Sequence, residues 1–224
     1  MNTCKLCGKE ITRRATHCGS CHSRLRYPAM QNILNAHRIA KLKEQVTNTK
    51  DVMIDGKPAK EIPLTQGKVA LVDAEDYELV KKYKWRAAKG HNTWYVFSDY
   101  RRPDGKWRTL RMHRVVMNAK RGQLVDHEDH NGLDNRRSKN LRFATHSQNM
   151  QNQRSHKNSS SKYKGVIWYK RRNCWHAYIQ AAGKADGKQQ SLGYFNTEHE
   201  AALAYNDAAR KLHGKFANLN IVSV

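Results

Sequence analysis

Residues 124–149 constrain the fold of this chain more than any other stretch. They read LVDHEDHNGLDNRRSKNLRFATHSQN, in which a loop rich in Gly and Asn precedes the strand-like run LRFAT. Gly, Asn and Asp favour tight turns over regular structure. Thr145 and Gln148 have the spacing of a capping box, which predicts that a helix begins directly after Thr145. The stretch therefore predicts a compact arrangement of loop, strand and helix.

Four polar side chains of this stretch are candidates for chemistry: Asp126, His127, Asn140 and Asn149. Asn149 falls in about the first helical turn, where its carbonyl oxygen can face back to Asp126. These two oxygen donors form the incomplete cage that Mg²⁺ occupies while it keeps waters and a phosphate oxygen. A neutral imidazole near pH 7, such as that of His127, can accept a proton from water. The alternative is a hydrogen-bonded His–Asp pair in a loop without metal.

Four neighbouring polar residues have simpler expected roles. His113 and His130 could be secondary participants, but packing and loop roles are expected for them. Asp129 and Asp134 could approach a metal, but hydrogen bonds that stabilise turns are the expected use of their side chains.

Residues 62–152 as a whole resemble the HNH homing endonucleases of phages and mobile introns. The matching segments are IPLTQGKVALVDAEDYELVKKYKW, MHRVVM at 112–117, VDHEDHNGLDNRRSKNLR and the trailing T-x-x-x-N at 145–149. The resemblance implies a ββα-metal fold, also called a His-Me finger, with one divalent cation, Mg²⁺ or Mn²⁺.

The resemblance also implies a role for each of the four candidates. His127 occupies the position of the general base, and Asn140 that of the residue that fixes the histidine loop. Asp126 and Asn149 occupy the positions that hold the metal. The implied reaction is hydrolysis of a DNA phosphodiester to 5′-phosphate and 3′-hydroxyl ends, with the metal stabilising charge on the phosphate and the departing oxygen. A single centre favours a nick over a double-strand cut.

Four of the five cysteines lie near the N-terminus. They form two CxxC pairs separated by ten residues: Cys4, Cys7, Cys18 and Cys21. This spacing places four thiolates around a tetrahedral Zn²⁺, which has no open position for water and is therefore structural. The N-terminus lacks the apolar core of a signal peptide, which indicates a reducing compartment. Disulfide pairing and four free cysteines are the alternatives.

Residues 162–224 show a third pattern, of three strand-like runs and a helix. The runs lie near 164–171, 174–181 and 188–194, and a second capping box, Thr197 with Glu200, begins the helix. The helix has one apolar face, so it is expected to cover one side of the sheet and leave the other side for a partner.

This module resembles the DNA-binding domain of the plant Apetala and ethylene-response-factor family. The matching segments are YKGV, W-x-A-x-I, LGYF, T-x-x-E-A-A-x-A-Y-x-x-A-A and the final LN. In that family a three-stranded antiparallel sheet lies in the major groove. The resemblance and the mixture of basic and aromatic residues give the expected DNA contacts: Lys164, Trp168, Lys170, Arg171, Arg172, Trp175, Tyr178, Gln180 and Gln190. Packing beneath the sheet is the alternative for each aromatic residue.

These patterns predict an α+β protein of several small domains. The predicted division is a Cys-rich zinc knuckle over 1–27, a helix and connector over 28–61, the nuclease domain over 62–152, a flexible linker over 153–161 and the DNA-binding module over 162–224. The helix is expected over 29–46. Within the nuclease domain the sequence predicts a strand at 69–72, a short helix at 73–83 and a hairpin of 93–100 with 106–113.

Charge indicates the class of partner. Lys and Arg number 42 against 19 Asp and Glu, which gives a formal charge of +23 over 224 residues. Such an excess opposes compaction unless a polyanion neutralises it, so nucleic acid is expected and a membrane is not. The sequence thus predicts a monomeric, sequence-specific homing endonuclease that acts on double-stranded DNA in the cytoplasm of a bacterial host, encoded by a phage or mobile element. A non-catalytic DNA-binding regulator and an RNA-binding protein are the alternatives.

Overall fold

The computed structural model describes residues 35–90, 92–102, 105–155, 158–180 and 189–222, together with the backbone of 2–3 and 10–11. The chain divides into two compact units: Met1–Lys89 with Tyr95–Met112, and Gly90–Trp94 with His113–Val224. Both units mix helices with small antiparallel sheets, which confirms the predicted α+β class. Every helix among the described residues is too short or too polar to cross a lipid bilayer.

The N-terminal segment contributes two short strands, β1 (Asn2–Thr3) and β2 (Glu10–Ile11), which pair antiparallel. The predicted zinc ligands Cys4, Cys7, Cys18 and Cys21 lie outside the described residues. The zinc knuckle therefore stays a prediction.

A helix and a three-stranded sheet follow in the first unit. Helix α1 occupies 35–47, and the first part of the predicted 29–46 helix lies outside the described residues. The buried side-chain amide of Gln45 accepts a hydrogen bond from the backbone N–H of Trp85 at 2.9 Å and donates to its carbonyl at 3.1 Å. These two bonds attach α1 to the rest of the unit.

The predicted connector after this helix is instead a hairpin, so that prediction was wrong. Strand β3 (Lys50–Ile54) pairs with β4 (Lys57–Pro63), which pairs in turn with β5 (Val69–Asp73). Asp55 and Gly56 join β3 to β4 with φ values of 54° and 73°. Two successive left-handed residues make the two-residue hairpin turn that Asp-Gly favours.

The rest of the first unit follows the predicted order. A 3-10 turn, Ala74–Asp76, leads into α2 (Tyr77–Val80), and a second sheet has the order β6 (Arg86–Lys89), β7 (Trp94–Arg101) and β8 (Trp107–Arg111). The β7–β8 pairing confirms the predicted hairpin.

The second unit contains the candidate catalytic stretch and the C-terminal module. Its elements are α3 (Met112–Val116), which begins at the last residue of the first unit, β9 (Leu124–His127), β10 (Leu141–Ala144), α4 (His146–Asn152), β11 (Val166–Tyr169), β12 (Cys174–Gln180), β13 (Gln189–Phe195) and α5 (Glu198–His213). Strands β9 and β10 pair antiparallel, and β11, β12 and β13 form an antiparallel sheet in that order. Both predicted capping boxes are present, at Thr145 and at Thr197.

Helix α5 packs on one face of the C-terminal sheet, as predicted. Its contact side is made of small residues and one tyrosine, which pack in two clusters with Tyr163 and Val166, and with Ile179. The alanines let the helix approach the sheet closely, and the second face of the sheet is left without a covering element among the described residues.

Two serines at the end of the predicted flexible linker make hydrogen bonds to this module. The Ser161 hydroxyl is buried, donates to a Glu198 carboxylate oxygen at 2.6 Å and accepts from the Tyr163 N–H at 3.0 Å. Ser160 accepts from the Trp168 N–H at 2.8 Å. These two hydroxyls satisfy groups at the edge of the module, and the flexibility of the linker stays a prediction. The predicted domain boundaries themselves stay predictions.

Gly165 provides a test of how tightly the module packs. At this position, with φ +73°, an added Cβ would lie 2.1 Å from Cδ2 of Tyr205 and 2.6 Å from the Tyr178 carbonyl oxygen. Gly56 has the same φ but open space around it. We expect Gly165→Ala to lower the free energy of unfolding of its unit by about 2–4 kcal/mol, from backbone strain plus overlap, and Gly56→Ala by only about 1 kcal/mol. Calorimetric unfolding measures both, and equal losses would contradict this packing.

Candidate active site

The buried carboxylate of Asp126 lies where β9, β10 and α4 meet. Asp126 faces Arg142 across the β9–β10 pair, and its Oδ2 accepts from the Arg142 Nε at 3.0 Å. The side-chain amide of Asn152, at the end of α4, donates to both carboxylate oxygens at 3.1 and 2.9 Å. Charge-assisted hydrogen bonds of this kind offset the cost of burying a carboxylate.

His127 follows Asp126 as the last residue of β9 and is 6% exposed. Its ring makes an edge-to-face contact with the ring of His113 on α3, with centroids 5.0 Å apart and planes at 89°. Burial lowers the pKa of His127 below its ordinary value, and a hydrogen bond with the Asn135 side chain offsets this only in part. The imidazole is therefore neutral at neutral pH, which is the form that accepts a proton.

Asn140 anchors the loop that follows His127. Its buried amide donates to the carbonyls of Asn131 at 3.1 Å and Asp134 at 2.8 Å, and its Oδ1 accepts from the Asp129 N–H at 2.9 Å. Its backbone carbonyl accepts from the Glu128 N–H at 2.9 Å. These are the contacts that the expected loop-fixing role requires.

The residues expected to have turn and packing roles occupy such places. Asp129 and Asp134 accept hydrogen bonds from the N–H groups two residues further on, at 2.7 and 3.1 Å. His113 packs on His127, and His130 lies in the loop with a left-handed φ of 65°.

Asn149 is half-buried in α4, and its N–H bonds the Thr145 carbonyl at 3.0 Å. Within the described part of the chain, the helical residue bonded to Asp126 is Asn152 rather than Asn149. Asn152 is not among the residues predicted from the sequence. The available signal was its spacing, since residues three apart share one face of a helix.

The donor set fits a hard divalent cation. A carboxylate has about four acceptor positions, and the Asp126 oxygens receive three N–H contacts, so acceptor capacity remains. The Asn149 carbonyl oxygen belongs to the same helix face as Asn152. Carboxylate and amide oxygens are ligands that Mg²⁺ and Mn²⁺ favour.

A separate acidic cluster lies in the first unit. Carboxylate oxygens of Asp73, Glu75 and Asp76 lie within 4.8 Å of one another at the start of the turn that leads into α2. Acidic side chains are common at such a position because the free N–H groups of a helix start attract negative charge. The position of this cluster therefore has an explanation that needs no metal, and the expected ligands Asp126 and Asn149 stay a prediction.

The predicted DNA contacts are distributed over several surfaces of the C-terminal module. Lys170, Arg171 and Arg172 form an exposed 3-10 turn between β11 and β12, and Gln180 and Gln190 are exposed. Trp175 packs against the core beneath the sheet, and Trp168 contacts it edge-on at 5.0 Å. For Trp175 the packing alternative therefore holds.

The uncovered face of the sheet carries aromatic rings that the sequence analysis missed. His176 stacks on Tyr194 with centroids 4.8 Å apart, and the Arg172 guanidinium lies 4.4 Å from the Tyr194 ring centroid. Tyr169 and the predicted Tyr178 also contact the His176 ring, at 6.3 and 6.0 Å. The signal was strand alternation, because His176 has the same parity as Tyr178 on β12.

Lys164, an expected DNA contact, lies beside the end of α4. Its ammonium donates to the carbonyls of Met150, at 3.3 Å, and of Gln151, at the C-terminal end of α4. Burial lowers its pKa to about 8. A cation at this end of a helix satisfies free carbonyls and the helix dipole, so Lys164 joins α4 to the module rather than lying on the uncovered face.

A cavity of about 410 Å³ lies between α4 and the C-terminal sheet, lined by residues that include Met150, Lys164, Tyr178 and Tyr205. Asp126, His127, Asn140 and Asn149 do not line it. We place the candidate active site at the hydrogen-bonded titratable groups rather than at this volume, because the chemistry requires those groups.

A strand carrying an Asp–His pair, a loop tied by a buried asparagine, a second strand and a capped helix define a candidate hydrolytic centre of the HNH class. An uncharacterized HNH endonuclease of Acanthamoeba polyphaga mimivirus is 33% identical to the chain over 187 residues, which cover 80% of this chain and 89% of that protein. The chain belongs to the HNH endonuclease family.

Two further relatives cover parts of the chain. An AP2-like ethylene-responsive transcription factor of Arabidopsis thaliana is 42% identical over 69 residues, which are 31% of this chain and 13% of that protein. Protein 3.8 of Escherichia phage T7 is 34% identical over 97 residues, 43% of this chain and 75% of that protein. No protein-family model and no solved structure matches the chain.

The two asparagines allow a matched test. Asn140→Ala leaves buried N–H and carbonyl partners unsatisfied, so we expect it to lower the free energy of unfolding by roughly 2–4 kcal/mol. Asn149→Ala makes the same change at a half-buried position and should cost less than about 1 kcal/mol, while weakening Mn²⁺ binding. Calorimetry and titration with Mn²⁺ measure the two effects. Similar stability losses would refute the anchoring role of Asn140.

Proposed function

We propose that this protein is a metal-dependent DNA endonuclease in which His127 is the general base and Asp126 and Asn149 hold one divalent cation, Mg²⁺ or Mn²⁺. The observation that carries the proposal is the buried, neutral His127 beside the buried carboxylate of Asp126, on a loop tied by Asn140. Membership of the HNH endonuclease family supports it.

Each of these side chains has a separate role in phosphodiester hydrolysis. His127 takes a proton from the attacking water, and the His113 ring packed on it limits its rotation. Asn140 keeps the loop, and therefore the imidazole, in place. The cation, when bound, stabilises charge on the scissile phosphate and the departing 3′ oxygen. The expected products are 5′-phosphate and 3′-hydroxyl ends, and one centre in a monomer makes a nick.

Sequence recognition is assigned to the C-terminal module. Support comes from its uncovered face of aromatic rings, from the exposed basic turn at 170–172 and from the similarity to a plant transcription factor. Duplex DNA also accounts for the charge of +23. A structural zinc held by Cys4, Cys7, Cys18 and Cys21 is proposed for the N-terminal segment.

The first experiment is relaxation of supercoiled plasmid with Mg²⁺. We expect the wild-type protein to make nicked circles, EDTA to stop the reaction, and His127→Ala to lower the rate by at least ~10²-fold, the scale for loss of a general base, with DNA binding retained. His37→Ala removes an exposed histidine of α1 and should keep the wild-type rate.

The outcomes separate the two leading candidates. A parallel loss of DNA binding in His127→Ala would remove the general-base assignment. Specific binding without cleavage, on DNA that carries the gene's own neighbourhood, would favour a non-catalytic DNA-binding regulator.

Binding should depend steeply on salt. Each neutralised phosphate contributes about −0.9 to the slope of log affinity against log salt, so Arg171→Gln should reduce the slope by about one such increment. Lys164→Met is the control, because its ammonium is bound to α4 carbonyls and its loss should leave the slope unchanged. A flat salt dependence, or equal competition by duplex RNA, would contradict recognition of duplex DNA by phosphate contacts.

A further inference from the structure

Arg142 connects the candidate active site to the C-terminal module. From β10 its Nε donates to Asp126 at 3.0 Å, and its Nη1 donates to the carbonyl of Lys215 at 2.6 Å. The guanidinium also lies 4.1 Å from the ring centroid of Phe216, which is 4% exposed. Only 13% of the Arg142 side chain is accessible to solvent. A buried arginine stacked on an aromatic face is a directional contact.

A second set of contacts joins the module to α4. The Lys164 ammonium donates to the carbonyls of Met150 and Gln151, and the Asn218 amide donates to the Gln153 carbonyl at 2.9 Å. The backbone of Lys164 is itself held by Asn220, which accepts from its N–H at 2.7 Å and donates to its carbonyl at 3.0 Å.

These contacts fix orientation as well as proximity. One set begins on β10 and the other on α4, the two elements that flank the Asp126 carboxylate. Attachment at two separate places restricts rotation of the module relative to the candidate active site. The chain connection alone would leave the module free to rotate. The module and the candidate active site therefore form one body within the second unit.

We propose that Arg142 and Phe216 lock the C-terminal module against the nuclease centre and thereby fix the distance along DNA between the bases that are read and the phosphate that is cut. The inference rests on the proposed endonuclease function and adds a positioning role. A freely tethered module would let the centre reach several neighbouring phosphates after one recognition event. A module locked in one orientation presents only one phosphate to the nuclease centre.

The test maps nick positions on a plasmid library with random inserts, by sequencing the new ends. Wild type should nick at one fixed distance from the recognised bases. Phe216→Leu keeps an apolar side chain but removes the ring face, and should raise the share of nicks at neighbouring phosphates by roughly tenfold, the factor that corresponds to about 1.4 kcal/mol of docking free energy. Phe216→Tyr keeps the ring face and should restore the single position.

Hydrogen exchange of the intact protein gives a second measurement that needs no cleavage. In Phe216→Leu, and in Lys164→Met, which leaves Phe216 in place, the amides at the end of α4 should exchange faster than in wild type and in Phe216→Tyr. If the variants keep one nick position, the lock does not set the cut, whatever the exchange rates are. If wild type makes no nick, the proposed function fails, and unchanged exchange in the variants would separately overturn the docking.

Discussion

The buried carboxylate of Asp126 is the constraint on which the second unit depends. A carboxylate removed from water is costly unless donors replace the water, and here the donors come from two different elements, Arg142 on β10 and Asn152 on α4. The hydrogen bonds to this one carboxylate therefore bring β9, β10 and α4 together. Because Arg142 also contacts the Lys215–Phe216 segment, the same charge determines where the C-terminal module sits.

Burial also acts on the neighbouring histidine, whose charged form it disfavours. The Asp126 carboxylate has donors on two elements, whereas desolvation lowers the pKa of His127 and favours its neutral imidazole. In the proposed function, these adjacent residues of one strand supply the carboxylate ligand and the base. The three side-chain hydrogen bonds of Asn140 hold the loop that follows the histidine.

Local sequence signals predicted local structure well. The capping boxes at Thr145 and Thr197 are present because their partners are only three residues away. The Asp55–Gly56 pair is an equally local signal for a hairpin turn, but its polar neighbours led to the prediction of a connector. Asn152, Lys164 and Ser161 could not be assigned in the same way, because their partners lie 26, 13 and 37 residues away. Composition identifies such residues as helical, basic or flexible, and only the tertiary arrangement identifies what they contact.

The lock between the module and the nuclease centre is made largely to backbone carbonyls. Lys215, Met150, Gln151 and Gln153 each contribute a main-chain oxygen, which any amino acid at those positions would provide. These hydrogen bonds therefore depend on the donors Arg142, Lys164 and Asn218, and not on which side chains the accepting residues carry. Substitutions at these accepting positions can therefore leave the alignment of the module with the candidate active site intact.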